Sequence, residues 1–121
     1  MTMTKTLLVL TAALALSAGS ALAHPKVISA VPAANGVSAG SPKDIRIKFN
    51  EAPFAKFATV TVQSAAGQAI KTGKVAVDPK DKTQIVVPVA ETLAPGAYKV
   101  NWTASGADTH KVNGTFSFTV K

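Results

Sequence analysis

Residues 44–50 read Asp-Ile-Arg-Ile-Lys-Phe-Asn, and polar and apolar side chains alternate strictly along them. Ile45, Ile47 and Phe49 therefore share one face of an extended chain. Alternation with a period of two is typical of a β-strand that has one face in a core and the other in water. This stretch decides the fold class, because the same pattern returns on both sides of it.

Further short strands are predicted wherever the alternation returns, and turn sequences such as Asn35-Gly36, Ala66-Gly67-Gln68 and Pro95-Gly96 separate them. A sustained helical period is absent, apart from a weak one over residues 54–57. Seven short strands predict an all-β fold of two antiparallel sheets, an immunoglobulin-like β-sandwich. Besides 44–50, the predicted strands cover residues 27–31, 59–63, 75–77, 84–88, 97–103 and 114–120.

Residues 1–23 have the composition of a secretory signal peptide. Lys5 supplies a positive start, residues 7–16 are apolar, and Ala21-Leu22-Ala23 has the small residues of a cleavage site. The apolar run is shorter than the roughly 20 residues that a membrane-spanning helix needs. The sequence therefore predicts export to the periplasm and a single folded domain over residues 24–121.

The content of sulfur-containing residues limits the metal chemistry that this chain can carry out. The sequence has no cysteine, and its two methionines, Met1 and Met3, lie in the predicted signal peptide. A mature chain that begins at residue 24 would offer a metal only nitrogen and oxygen ligands. Such ligands favour Cu(II), Ni(II) or Zn(II) over Cu(I).

The charge of the chain is basic, with a formal net charge of +7 from 13 Lys and Arg against six acids. A basic surface serves solubility, or it attracts an anionic membrane or an acidic partner. Scattered lysines, a single arginine and no interleaved aromatic row argue against nucleic-acid binding. No serine has a nucleophile signature and no phosphate-binding glycine loop is present, so the sequence predicts no enzyme.

The sequence contains two histidines, His24 and His110. If the signal peptide is cut after Ala23, His24 becomes the first residue, and its free amine and ring Nδ1 can chelate one metal ion. Pro25 has no N–H, so the next amide cannot join the coordination plane. The third mature residue is Lys26, so the amino-terminal copper and nickel motif that needs histidine there is absent.

The second histidine lies in Asp108-Thr109-His110, within a polar loop predicted over residues 105–113. An amine, two imidazoles and the Asp108 carboxylate would form a set of three nitrogens and one oxygen, which suits tetragonal Cu(II). Two other interpretations remain open. His24 can follow the signal peptide by chance and have no role at a metal. Asp108 can form a turn by bonding to its own backbone.

Several short motifs follow one another along residues 24–121. They are His24-Pro25-Lys26, Val31-Pro32-Ala33, Phe49-Asn50-Glu51, Leu93-Ala94-Pro95-Gly96-Ala97-Tyr98, Trp102 and Asp108-Thr109-His110. These motifs in this order resemble the periplasmic copper-resistance protein C family (CopC, with its relative YobA). The resemblance implies a cupredoxin-like or immunoglobulin-like β-sandwich that binds one Cu(II) through His24, Asp108 and His110. It also implies that Glu51 lies near the metal, either as a weak axial ligand or as a neighbour of the ligands.

The chain departs from some members of that family in one region. Those members carry a methionine-rich loop with a Cu(I) site, and the corresponding residues 63–80 contain neither Met nor His. The resemblance therefore implies a member with a Cu(II) site alone. We also expect the protein to be a monomer. Such a protein would sequester copper or deliver it to an inner-membrane transporter similar to CopD.

Two other functions fit parts of the sequence. An amine with two imidazoles is similar to the copper brace of oxidative polysaccharide-cleaving enzymes, but those present aromatic side chains to their substrate. Here Tyr98 and Trp102 are predicted to face the core. The other alternative is a metal-independent structural domain in which both histidines are incidental.

Overall fold

The computed structural model describes residues 25–107 and 109–121, and the all-β prediction is confirmed in them. Two four-stranded sheets have the strand orders β1-β3-β6-β5 and β2-β8-β7-β4. The predicted signal peptide and His24 lie outside the described residues. The strands are β1 (Val27–Val31), β2 (Val37–Ser38), β3 (Asp44–Phe49), β4 (Thr59–Ser64), β5 (Ala76–Asp78), β6 (Asp81–Pro88), β7 (Gly96–Ser105) and β8 (Lys111–Val120).

The prediction of seven antiparallel strands was wrong in one respect, because the described residues contain an eighth strand. β2 has two residues and pairs in parallel with the end of β8, with Val37 opposite Thr119. Two residues are too few to show an alternating pattern. Hydrogen bonds from the preceding turn fix this pairing, since Asn35 N–H donates to Ser117 O at 2.7 Å.

The loop between the last two strands is shorter than predicted. β7 continues to Ser105 and β8 begins at Lys111, so the two strands remain paired up to Ser105 and Lys111. Residues 111 and 113 are polar but sit at exposed ladder positions, where the backbone pairs whatever the side chain is. The loop therefore spans only residues 106–110.

The connection between β3 and β4 contains a single turn of 3₁₀ helix, Ala55–Phe57, which fits the weak helical period of residues 54–57. The helix has three residues, and no described helix is long and apolar enough to cross a membrane.

The core lies between the two sheets and is filled by the apolar faces that the alternation predicted. Ile45, Ile47 and Phe49 are completely buried, as are Val87 and Val100. Burying a side chain of this size contributes about 1.5–3 kcal/mol, so these positions dominate stability. The remaining buried apolar residues are Ala58, Val60, Val62, Ile85, Leu93, Tyr98, Ala104, Phe118 and Val120.

An aromatic contact between the sheets joins the end of β3 to the end of β7. The rings of Phe49 and Trp102 meet edge to face, with their centroids 5.3 Å apart. The indole also lies over Gly114, its partner across the β7–β8 ladder. A Cβ atom on Gly114 would lie 2.6 Å from Trp102 Cζ2 and 2.9 Å from Nε1. Glycine is therefore required here to let the indole reach Phe49.

Replacing Gly114 with alanine should displace the Trp102 ring, because the added methyl group would overlap a rigid indole rather than a flexible chain end. We expect Gly114→Ala to lower the free energy of unfolding by about 1–3 kcal/mol and to shift the tryptophan emission. Urea unfolding followed by fluorescence measures both effects.

Asn113→Ala is the matched control for this change, since Asn113 is the exposed neighbour of Gly114 on the same strand. Equal stability of the Gly114→Ala and Asn113→Ala variants would contradict a tight contact between Trp102 and Gly114.

Candidate metal centre

One end of the sandwich gathers the segments that carry the predicted ligands. β1 begins there, β3 ends there, and β7 and β8 are joined there, because Val27 pairs with Phe49 and Phe49 contacts Trp102. We call this region the loop end, and it comprises residues 25–26, 50–57, 106–107 and 109–110. His24, which precedes Pro25 in the sequence, and Asp108, which precedes Thr109, are not among the described residues.

The first described residues are held firmly at the loop end. Lys26 N–H donates to Asn50 Oδ1 at 2.8 Å, and Asn50 N–H donates back to Lys26 O at 2.9 Å. Pro25 is buried. This pair of hydrogen bonds fixes the backbone two residues after His24 against the end of β3.

A second hydrogen bond ties the β3–β4 connection to the end of β7. Phe54 N–H donates to Ser105 O at 3.0 Å. The segment from Asn50 to Phe54 is thus anchored on one side to the start of the chain and on the other to the β7–β8 loop. Glu51 lies in the middle of this bridging segment.

The β7–β8 loop is a tight one, closed by a hydrogen bond from Thr109 N–H to Gly106 O at 3.0 Å. Thr109 has a φ of 62°, in the left-handed region that a β-branched residue rarely adopts. Such backbone strain costs on the order of 1–3 kcal/mol and is found most often at functional sites. His110 is exposed and directly precedes β8, so the structure places it at the loop end.

Glu51 differs from the other described carboxylates. It is half-buried, and its Oε1 atom is shielded from solvent without a hydrogen-bond partner among the described residues. A carboxylate oxygen in that setting is costly unless a cation or a donor reaches it. Ser105 Oγ is likewise buried and unpartnered among these residues.

The remaining described carboxylates are already satisfied. Asp44 and Asp78 accept hydrogen bonds from Arg46, and Glu91 accepts one from Lys71 N–H at 3.0 Å. Asp81 accepts hydrogen bonds from the Thr83 hydroxyl at 2.6 Å and the Thr83 N–H, and it pairs with Lys48 at 3.3 Å.

The contacts of Asp81 with Thr83 and Lys48 hold the pKa of Asp81 below its usual value, and the hydrogen bond from the Thr83 hydroxyl has the largest effect. Asp81 and the other three carboxylates thus have partners within the protein, whereas Glu51 Oε1 has none among the described residues.

Of the four predicted site residues, the structure brings two, Glu51 and His110, to the same end of the fold. The other two, His24 and Asp108, lie outside the described residues. Within residues 25–107 and 109–121, no group of three or more His, Cys, Asp or Glu side chains could hold a metal ion. A complete site at the loop end would therefore need donors from the two positions that are not described.

Two residues that shape this region, Asn50 and Ser105, were not predicted from the sequence. Asn50 had one signal, since it is the last residue of a predicted strand and its amide can cap an incoming chain. Ser105 had none, because its burial at 1% exposure depends on β7 running past the predicted end at residue 103.

The side chains at the loop end fit a cation with a preference for nitrogen and oxygen ligands. His110 offers an imidazole, and Glu51 offers a carboxylate oxygen that lacks another partner among the described residues. The whole sequence has no cysteine, and its two methionines are residues 1 and 3. Such a donor set suits Cu(II), Ni(II) or Zn(II).

Comparison with known proteins identifies the relatives of this chain. Copper resistance protein C of Escherichia coli is 36% identical over 109 residues, which cover 84% of this chain and 85% of that protein. Protein YobA of Escherichia coli strain K12 is 32% identical over 102 residues, covering 84% of this chain and 82% of that protein.

The crystal structure of PcoC, a methionine-rich copper resistance protein from Escherichia coli, superimposes with a TM-score of 0.75. It is 32% identical to this chain, and the match covers 82% of this chain and all of that one. The family model of the CopC domain matches residues 27–121. The chain therefore belongs to the CopC family.

Proposed function

We propose that this protein binds Cu(II) in the periplasm and serves copper homeostasis or resistance, either by sequestering the ion or by delivering it to an inner-membrane transporter. Membership of the CopC family supports copper as the metal, since the relatives are named copper resistance proteins. The observation that carries the proposal is the unpartnered carboxylate oxygen of Glu51, at the end of the sandwich where His110 also lies.

The proposed ligands are His24, Asp108 and His110. Glu51 would lie close to the ion, either as a weak ligand or as a neighbour of the ligands. His24 is joined directly to Pro25, and consecutive Cα atoms lie about 3.8 Å apart. Pro25 is buried and Lys26 is hydrogen-bonded to Asn50, which supports the proposal that His24 binds copper at the loop end. The position of Asp108 in the sequence, between Ala107 and Thr109, supports the same proposal for its carboxylate.

Removal of residues 1–23 is part of this proposal, because cleavage frees the amine of His24. A free α-amine ordinarily has a pKa of about 7.7–8.0, so protons compete only weakly for it near neutral pH. In an uncleaved chain that nitrogen is an amide and a much poorer ligand. Export to the periplasm would thus complete the metal site in residues 24–121.

We propose one Cu(II) per chain and no separate Cu(I) site. Thioether sulfur is the ligand that selects Cu(I), and residues 24–121 contain no methionine. In this respect the chain differs from PcoC, which is described as methionine-rich. The protein would therefore hold copper as Cu(II) and release it from the same site that binds it, without moving it to a second site.

Binding and transfer fit the loop end better than catalysis. A carboxylate from Asp108 in the copper plane would occupy a position that an oxygen-activating enzyme needs for its substrate. Tyr98 is buried and Trp102 is half-buried against Phe49, so neither forms an aromatic platform for a polysaccharide. We propose that the protein is a monomer, that it binds the copper ion, and that its partner is a membrane transporter similar to CopD.

Adding one residue ahead of His24 should abolish tight copper binding. The extra peptide bond converts the amine to an amide and breaks the chelate, so we expect the affinity to fall by about 100-fold or more. Isothermal titration of the purified mature protein with Cu(II) measures this change, and mass spectrometry verifies each N-terminus.

A variant with the same residue added after Lys121 is the matched control and should bind like the parent. Unchanged affinity in the protein extended ahead of His24 would rule out the amine as a ligand.

Glu51→Gln should weaken copper binding by roughly 10-fold, as is usual when a group beside a metal is changed. The same change should stabilise the copper-free protein, because it removes a partly buried carboxylate that has no partner among the described residues. Copper titration and thermal unfolding of the copper-free protein measure the two opposite effects.

Glu91→Gln makes the same chemical change at an exposed position, and we expect copper affinity there to stay within about twofold of the parent. If Glu51→Gln and Glu91→Gln behaved alike in both measurements, Glu51 would have no role at the metal.

A further inference from the structure

A groove of about 590 Å³ opens between the edges of the two sheets, on the side where β4 and β5 are the outermost strands. Neither Glu51 nor His110, the two described residues of the proposed copper site, lines it. One wall is the start of β4 and the turn before it, and the other is the chain leading into β5. The lining residues are Ala55, Lys56, Ala58, Thr59, Val60, Lys74 and Val75.

The β4 edge presents backbone hydrogen-bonding groups to this groove. Val62 O accepts from Ile70 N–H at 2.8 Å, so the backbone polar groups of Val62 point away from β7. The β4–β7 register is regular, and residues two apart in a strand point their polar groups the same way. The N–H and C=O of Val60 therefore also point away from β7, toward the groove.

This unpaired part of the edge is short. From Val62 to Ser64 the edge is covered by the chain at residues 68–70, since Ser64 N–H donates to Gln68 O at 2.8 Å. Within the described residues, no backbone bond from outside the sheet reaches Val60. An unpaired edge of this kind can accept an added strand.

The charge and polarity of the groove specify what such a strand would contain. Lys56 and Lys74 are both exposed, and no acidic residue is among the described residues that line the groove. Ala58, Val60 and Val75 give the groove an apolar floor. An extended segment with alternating acidic and apolar residues would place one set on this floor and the other near the lysines.

The groove also shares two residues, Ala55 and Lys56, with the loop end. Lys56 belongs to the 3₁₀ turn, and the exposed rings of Phe54 and Phe57 flank it with their centroids 6.5 Å apart. Phe54 N–H donates a hydrogen bond to Ser105 O, next to the β7–β8 loop. A partner seated in the groove would therefore stand beside the loop end and have two aromatic side chains to contact.

We propose that the β4 edge groove is a docking site for an extended acidic segment of a partner protein, which pairs with Val60 and places its carboxylates near Lys56 and Lys74. This goes beyond copper binding, and the two can be tested separately because neither Glu51 nor His110 lines the groove.

The test uses the ¹⁵N-labelled copper-free protein and the synthetic peptide acetyl-Glu-Val-Glu-Val-Glu-amide as the probe. NMR titration should shift the Val60 amide, and its hydrogen exchange should slow once it pairs with the peptide. Lys56→Gln with Lys74→Gln should weaken the peptide affinity by about three- to tenfold, the loss expected for two exposed ion pairs.

The matched control, Lys43→Gln with Lys121→Gln, removes the same charge at the opposite end of the sandwich and should change the affinity by less than about twofold.

Three results would overturn this inference. Equal weakening by the two double variants would show attraction to net charge alone. Binding that leaves the exchange rate of the Val60 amide unchanged would exclude strand addition. Slowed Val60 exchange with phosphatidylglycerol vesicles but not with the peptide would assign the groove to a membrane surface instead of a protein segment.

Discussion

The contact between Phe49 and Trp102 is the constraint on which the rest of the loop end depends. It joins the last residue of β3 to β7 across the core, at a centroid distance of 5.3 Å. Because β1 pairs with β3 from Val27 onward, the same contact sets where the chain enters the sandwich. Two segments separated by some 80 residues of sequence thereby reach one end of the fold, and Gly114 provides the space that the indole needs.

Hydrogen bonds also fix the backbone at the loop end. Asn50 holds the backbone of Lys26, and Ser105 holds that of Phe54, so Glu51 lies in a segment fixed at both of its ends. The other described carboxylates are paired with cations or with backbone N–H groups. A buried carboxylate oxygen that has no partner in the described chain is unfavourable in an isolated fold. In the proposed function a copper ion bound nearby would offset this cost.

The sequence predicted the sandwich because alternation along β3, β7 and β8 is long enough to identify buried faces. Ile45, Ile47, Tyr98 and Val100 are buried as that pattern requires. It could not predict β2, whose two residues show no period, nor the extension of β7 to Ser105, where backbone pairing continues past the apolar pattern. Glu51 and His110 were identified as candidates from the sequence and a family resemblance. The anchoring role of Asn50 became clear only from hydrogen bonds between residues 24 positions apart in the sequence.

The central claim is that one Cu(II) is held by the first residue of the mature chain and the β7–β8 loop, with every nitrogen donor supplied by a histidine residue. The most direct test is electron paramagnetic resonance of the mature protein with one equivalent of Cu(II), after growth on ¹⁵N-histidine. The sequence has two histidines, so the amine and both imidazoles would carry the label. The account predicts that the whole nitrogen hyperfine pattern changes from ¹⁴N to ¹⁵N. A ¹⁴N coupling that persists would show a donor from another residue and would contradict the proposed site.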